Sequence, residues 1–67
     1  MSPEKMVRMA NQIAVFFQSQ PGDDAAEKVA RHLTDFWEPR MRRQLKDYVA
    51  HDGGELHASV VAASDRI

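Results

Sequence analysis

Apolar side chains recur every three or four positions along most of this chain, the period of a helix that buries one face. Met6, Met9, Ala10, Ile13, Phe16 and Phe17 form the first such stripe, and Val7 and Ala14 widen it to nearly half the helix circumference. A face that wide suits burial against two neighbours. Val15 falls on the opposite side with Arg8 and Asn11, either as a lone exposed apolar residue or as part of a contact with another chain. Ser2-Pro3-Glu4 supplies the start: a capping hydroxyl, a proline at the first helical position, and an acid where the helix dipole favours one. These signals predict a first helix over residues 3–19.

Gln20-Pro21-Gly22-Asp23 breaks the pattern, and Asp24-Ala25-Ala26-Glu27 has the spacing of a capping box. The second helix is predicted over residues 24–37. Ala25, Ala26, Val29, Ala30, Leu33, Phe36 and Trp37 fill one arc of its wheel, and Glu27, Lys28, Arg31, Thr34 and Asp35 fill the other. Pro39 lacks a backbone donor and disfavours helical geometry at Glu38, so the chain turns a corner there and opens a third helix over residues 39–51. Met41, Leu45, Tyr48 and Val49 form its stripe. His51-Asp52-Gly53-Gly54 supplies the stop, with a glycine suited to the left-handed position after a helix. Leu56, Val60, Ala63 and Ile67 repeat on a narrow stripe that predicts a fourth helix over residues 55–65. No alternating run reads as a strand. The expected fold is all-α, a small bundle of three to four short helices in a single domain, residues 1–67.

Size adds a constraint. A core built from 67 residues rarely supplies more than about 3–5 kcal/mol without a staple. There is no cysteine, which excludes disulfides and thiolate-bound metal, and leaves association with a partner as the missing stabiliser. The net charge of −1 argues against a general nucleic-acid binder. Charge is nevertheless uneven: residues 21–38 carry five acids and two bases, residues 39–51 four bases and one acid. No apolar run is long enough to span a membrane, and the N-terminus has no continuous apolar stretch of a signal peptide, so a soluble cytoplasmic protein is expected.

Catalytic chemistry finds little foothold. His32, His51 and His57 fall on different predicted helices with no i, i+4 pair, and Asp23-Asp24 reads as capping rather than acid–base machinery. Gly53-Gly54 is followed by Glu55, not by the lysine and hydroxyl of a phosphate loop. An alternative is a small nucleic-acid-binding or regulatory module using Arg40, Arg42, Arg43 and Lys46 beside Trp37.

Met9-Ala10-Asn11-Gln12-Ile13-Ala14 with Phe16-Phe17, then His32-Leu33 and Phe36-Trp37-Glu38-Pro39-Arg40-Met41-Arg42, resemble the small delta subunit of NAD-dependent, molybdenum-containing formate dehydrogenase. The resemblance covers roughly residues 6–56. It implies a non-catalytic accessory subunit of a cytoplasmic complex that oxidises formate and passes electrons to NAD. The molybdenum pterin, iron–sulfur clusters and FMN would belong to larger subunits and none to this chain. It also implies docking on a larger subunit, the molybdenum-containing catalytic one first, to support assembly, stability or cofactor loading. The family tends to place a proline shortly after the leucine matching Leu56; here His57-Ala58-Ser59 follow, which leaves the start of the fourth helix open.

Tryptophan, methionine and arginine are enriched at interfaces. Trp37, Arg40, Met41 and Arg43 are therefore the first candidates for partner contact, and Asn11, Phe16 and Phe17 the second. Phe36 is expected in the core, and Trp37 on the division between core and interface. An exposed docking surface would also let the isolated chain form a homo-oligomer.

Overall fold

The Ser2 hydroxyl accepts the backbone N–H of Lys5 at 3.3 Å, so the first helix begins where its sequence places the cap. The computed structural model describes residues 2–67. It contains helices α1 (Pro3–Gln18), α2 (Ala25–Phe36), α3 (Pro39–His51) and α4 (Ala58–Ser64). Among the described residues there is no strand. The protein is an all-α bundle of four short helices.

The second helix starts without the expected capping box. Asp24 sits at φ −105°, ψ 31°, not in the extended conformation a capping side chain requires, and its carboxylate makes no cap hydrogen bond. It pairs instead with Lys28 one turn on, at 3.5 Å. Both side chains are well solvated, so that pair contributes little.

At the corner the backbone does what proline demands. Glu38 is extended, at ψ 153°, because a residue before proline is kept out of the helical region, and Trp37 ahead of it is extended as well, at ψ 139°. The last carbonyls of α2 are then left without helical partners, and Arg42 supplies them: its Nη1 donates to Thr34 O at 2.8 Å and to Trp37 O at 3.2 Å. An arginine from the expected basic face is thus spent inside the fold.

α3 stops at Gly53, whose φ of +67° needs no side chain. The N–H groups of Asp52 and Gly53 both reach Tyr48 O, at 3.0 and 2.9 Å. Glu55 is also left-handed, at φ +71°. Asn11 then grips the following strand of chain: its Nδ2 donates to Glu55 O at 2.7 Å and its Oδ1 accepts the His57 N–H at 3.0 Å. These two features delay α4 to Ala58, three residues beyond the expected start. His57 becomes its cap rather than a helical residue, and Leu56 packs on the core from the linker.

The shortest helix is surrounded on three sides. α4 packs against α1, α2 and α3, and Ser59, Val60, Ala63 and Ser64 are all buried. Small side chains permit this, because they let four backbones approach one another. The two serines are satisfied: Ser64 Oγ donates to Val61 O at 2.6 Å, and Ser59 Oγ accepts Gln18 Nε2 at 3.4 Å. Around α4 close the fully buried Met6, Val29, Leu33 and Leu45.

Two aromatics depart from their wheels. Phe16 was placed on the buried stripe of α1 but is 58% exposed. The buried positions of that helix are Met6, Val7, Ala10 and Ala14, so the packed face is rotated toward the small residues, where neighbours come closest. The large side chains Met9, Ile13, Phe16 and Phe17 are left along its flank. Phe36, expected in the core, is 73% exposed, and Trp37 is only 6% exposed. The wheel assumed a helix continuing through both. The chain leaves the helix at Trp37, which sends the indole inward and leaves Phe36 outside.

Candidate functional site

The displaced aromatics converge on one surface. Met9, Ile13, Phe16 and Phe17 of α1, His32 of α2 and Trp37 at the corner line a groove of about 390 Å³, with Gln12 as its other polar member. The rings form a row. Phe16 meets Phe17 edge to face with centroids 5.1 Å apart; Phe17 meets His32 in the same manner at 5.9 Å; His32 and Phe36 lie tilted at 32° and 4.7 Å. Such edge and tilted contacts suit the ring quadrupoles and hold the row in place. A smaller recess of about 190 Å³ continues past it, between Phe17, His32 and Phe36 and the charged Lys28, Arg31 and Asp35.

The helical period builds this row. His32 and Phe36 are one turn apart on α2 and therefore stack on the same face. Phe17 crosses from α1 to meet His32. Trp37 closes one side of the groove because Pro39 forces the chain out of the helix just before it.

The sequence-selected residues separate into three environments. Phe16, Phe17 and Trp37 meet at the groove, with Trp37 exposing only an edge. Arg40 is exposed near the start of α3, and Arg43 lines a separate recess of about 330 Å³ with Pro39, Arg42, Lys46 and Ile67. There Lys46 Nζ donates to Ile67 O at 2.9 Å. Met41 is partly buried against the core, and Asn11 is occupied by its two hydrogen bonds to the linker. His32 and Phe36 were not selected, although their i, i+4 spacing next to a proline corner was visible in the sequence.

Away from the groove, Tyr48 and His51 are tied to backbone carbonyls. The Tyr48 hydroxyl donates to Gly54 O at 2.8 Å. Its burial, and then the carboxylates of Asp52, Glu55 and Glu4, raise its pKa above the ordinary tyrosine value. The His51 ring nitrogen Nδ1 lies 2.8 Å from Asp47 O. Among the described residues no three His, Cys, Asp or Glu side chains converge as metal ligands, and no helix is long and apolar enough to cross a membrane.

No curated protein and no solved structure matches the chain. The family model of the NADH-dependent formate dehydrogenase delta subunit, FdsD, matches residues 5–64, from the first turn of α1 to the end of α4. The chain belongs to the delta-subunit family of NADH-dependent formate dehydrogenases.

Proposed function

We propose that this chain is a non-catalytic accessory subunit of a cytoplasmic formate dehydrogenase complex, docking on a larger subunit to support its assembly, stability or cofactor loading. The family match over residues 5–64 carries the reading. The geometry agrees with it: a small bundle leaves Phe16 and Phe36 mostly exposed, at a cost in solvation that a partner would relieve. A partner that binds only the folded chain stabilises it by mass action, and the chain in turn favours the assembled state of that partner. The molybdenum-containing catalytic subunit is the proposed partner. The molybdenum pterin, iron–sulfur clusters and FMN of the complex, and its NAD site, would lie in larger subunits, and this chain would bind none of them. Of the residues selected from sequence, Phe16, Phe17, Arg40 and Arg43 have the surface to make contact, and Trp37 and Met41 would support them from below.

The competing nucleic-acid reading is weakened by geometry. Of the four cations on α3, Arg42 and Lys46 are engaged with backbone carbonyls of the chain itself. A tagged chain recovered from native cells, with mass spectrometry and an assay of formate-dependent NAD reduction, separates the possibilities. A structural subunit copurifies with active dehydrogenase in fixed stoichiometry; an assembly factor copurifies only with immature catalytic subunit. Recovery of no dehydrogenase subunit overturns the reading.

A further inference from the structure

Two residues, Tyr48 and Asn11, hold the linker between α3 and α4. Tyr48 O accepts the N–H groups of Asp52 and Gly53 at 3.0 and 2.9 Å, and the Tyr48 hydroxyl donates to Gly54 O at 2.8 Å. Asn11 takes the other end, through Glu55 O and the His57 N–H. Within this linker lies Asp52-Gly53; after every other aspartate the next residue carries a side chain. The exposed Asp52 carboxyl leans forward over the backbone that follows it, so that a β-carbon at Gly54 would stand only 3.1 Å from its Oδ2 and 3.5 Å from its Cγ. We propose that Asp52 is a modification site, where the chain converts itself to isoaspartate, and that Tyr48 and Asn11 form the latch that restrains the conversion. The proposal is independent of the accessory-subunit reading.

In its protonated form the Asp52 carboxyl is an electrophile next to a backbone nucleophile. The Gly53 nitrogen bonds to Asp52 Cγ and gives up its proton, and the carboxyl hydroxyl leaves with that proton as water, closing a five-membered succinimide. Water then adds to either ring carbonyl. Opening on one side restores aspartate; on the other it leaves the main chain running through Cβ and Cγ. The sum is an isomerisation that needs only water. Glycine at 53 leaves the attacking nitrogen unshielded, and the forward lean of Asp52 brings Cγ toward it. Two restraints oppose attack in the folded chain. The Gly53 N–H is engaged with Tyr48 O, and Gly53 is fixed at φ +67° between that bond and the one from the Tyr48 hydroxyl to Gly54 O. Ring closure therefore waits for the linker to open. Once converted, the chain has an extra main-chain carbon between the Asp52 and Gly53 nitrogens, and their N–H groups no longer converge on Tyr48 O.

The test incubates the full chain at mildly acidic pH, folded and in guanidinium chloride. Isoaspartate is mapped by peptide digestion, which separates the equal-mass isomers, and by methyl transfer from an isoaspartate methyltransferase. Asp52 is expected to convert before every other aspartate, and at least about tenfold faster in denaturant than in the folded chain. Asn11→Ala should move the folded rate toward the denatured one, by about 5–30-fold, and Tyr48→Phe by about fivefold. Asp52→Glu, whose ring would be six-membered, should abolish conversion at this site. The converted chain, once isolated, should melt about 4–8 °C lower. Comparison of folded with denatured wild type decides the latch even where a variant fails to fold. First conversion at another aspartate would overturn the site. Equal rates in the folded and denatured chain, or an Asn11→Ala chain that converts no faster than wild type, would overturn the latch.

Discussion

Asn11 holds His57 from the far side of the sequence: its Oδ1 accepts the His57 N–H at 3.0 Å while its Nδ2 donates to Glu55 O at 2.7 Å. The amide thereby satisfies a donor and an acceptor that the linker leaves outside any helix. Asn11→Ala is expected to cost about 1–2 kcal/mol, a fall in Tm of about 4–8 °C for each kcal/mol at this size. Asn11→Asp keeps the acceptor and loses the donor, so it should fall between the two. Thermal unfolding by circular dichroism checks both; an Asn11→Ala protein as stable as wild type would show that the clamp contributes nothing net.

Leu33 and Phe36 lie three residues apart on α2 and should behave oppositely. Leu33 is fully buried and Phe36 is 73% exposed. Leu33→Ala is expected to cost about 2–5 kcal/mol, as much as the whole stability of so small a core, and to leave most of the chain unfolded at room temperature. Phe36→Ala should stay within about 1 kcal/mol of wild type, losing chiefly its ring contact with His32. Urea unfolding of the two variants reads the difference.

Arg40 and Arg42 form a second contrasting pair, two residues apart. Arg42→Ala removes the donor to Thr34 O and Trp37 O and should lower stability by about 1–2 kcal/mol. Exposed Arg40→Glu should leave the melting temperature within a few degrees, because substitutions away from such contacts are usually worth about 0.5 kcal/mol or less. If Arg40 touches the partner, its substitution lowers recovery of the complex more than it lowers Tm. Equal loss of both would place Arg40 in the fold.

Tyr48 gives the pH prediction. Burial, then Asp52, Glu55 and Glu4, raise its pKa in the folded state, so the folded chain holds the phenolic proton more tightly than the unfolded chain does. Such a group contributes its stability in full below the unfolded pKa and loses it as pH rises through the folded one. Unfolding free energy should therefore fall as pH climbs above about 10. Tyr48→Phe should flatten that alkaline fall even though it gives up the bond to Gly54 O. Tyr48 is the only tyrosine, so tyrosinate absorbance follows its titration directly; a midpoint at the ordinary tyrosine value would contradict the assignment.

Helix existence was legible because periodicity is local. Ser2, Pro3, Pro39 and Gly53 punctuate the chain through their own backbone and side-chain chemistry, without help from distant residues. What sequence could not reveal depended on other helices. The Asp24 box failed because the cap conformation was not adopted, although the spacing was right. The rotation of the packed face of α1 toward Ala10 and Ala14 was set by how closely α4 and α2 approach, which no wheel contains. The groove follows from that rotation, so Phe16 and Phe17 were legible as candidates but the role of Phe36 was not. Asn11 read as a surface residue for the same reason: its partners lie 44 and 46 residues away.

The central position of α4 also bears on the order of events during synthesis. Of the four helices it is the last to leave the ribosome, yet its Val60 and Ala63 are fully buried and it packs against each of the other three. Until residues 58–64 emerge, Met6, Val29 and Leu45 lack a shared wall, and helices this short are marginal in water without tertiary support. The nascent chain should therefore remain open until residues 58–64 have emerged and then close in one step. Arrested ribosomes carrying chains released only to about residue 55 would then display protease-sensitive polypeptide, and a few further residues would convert it to a protected bundle.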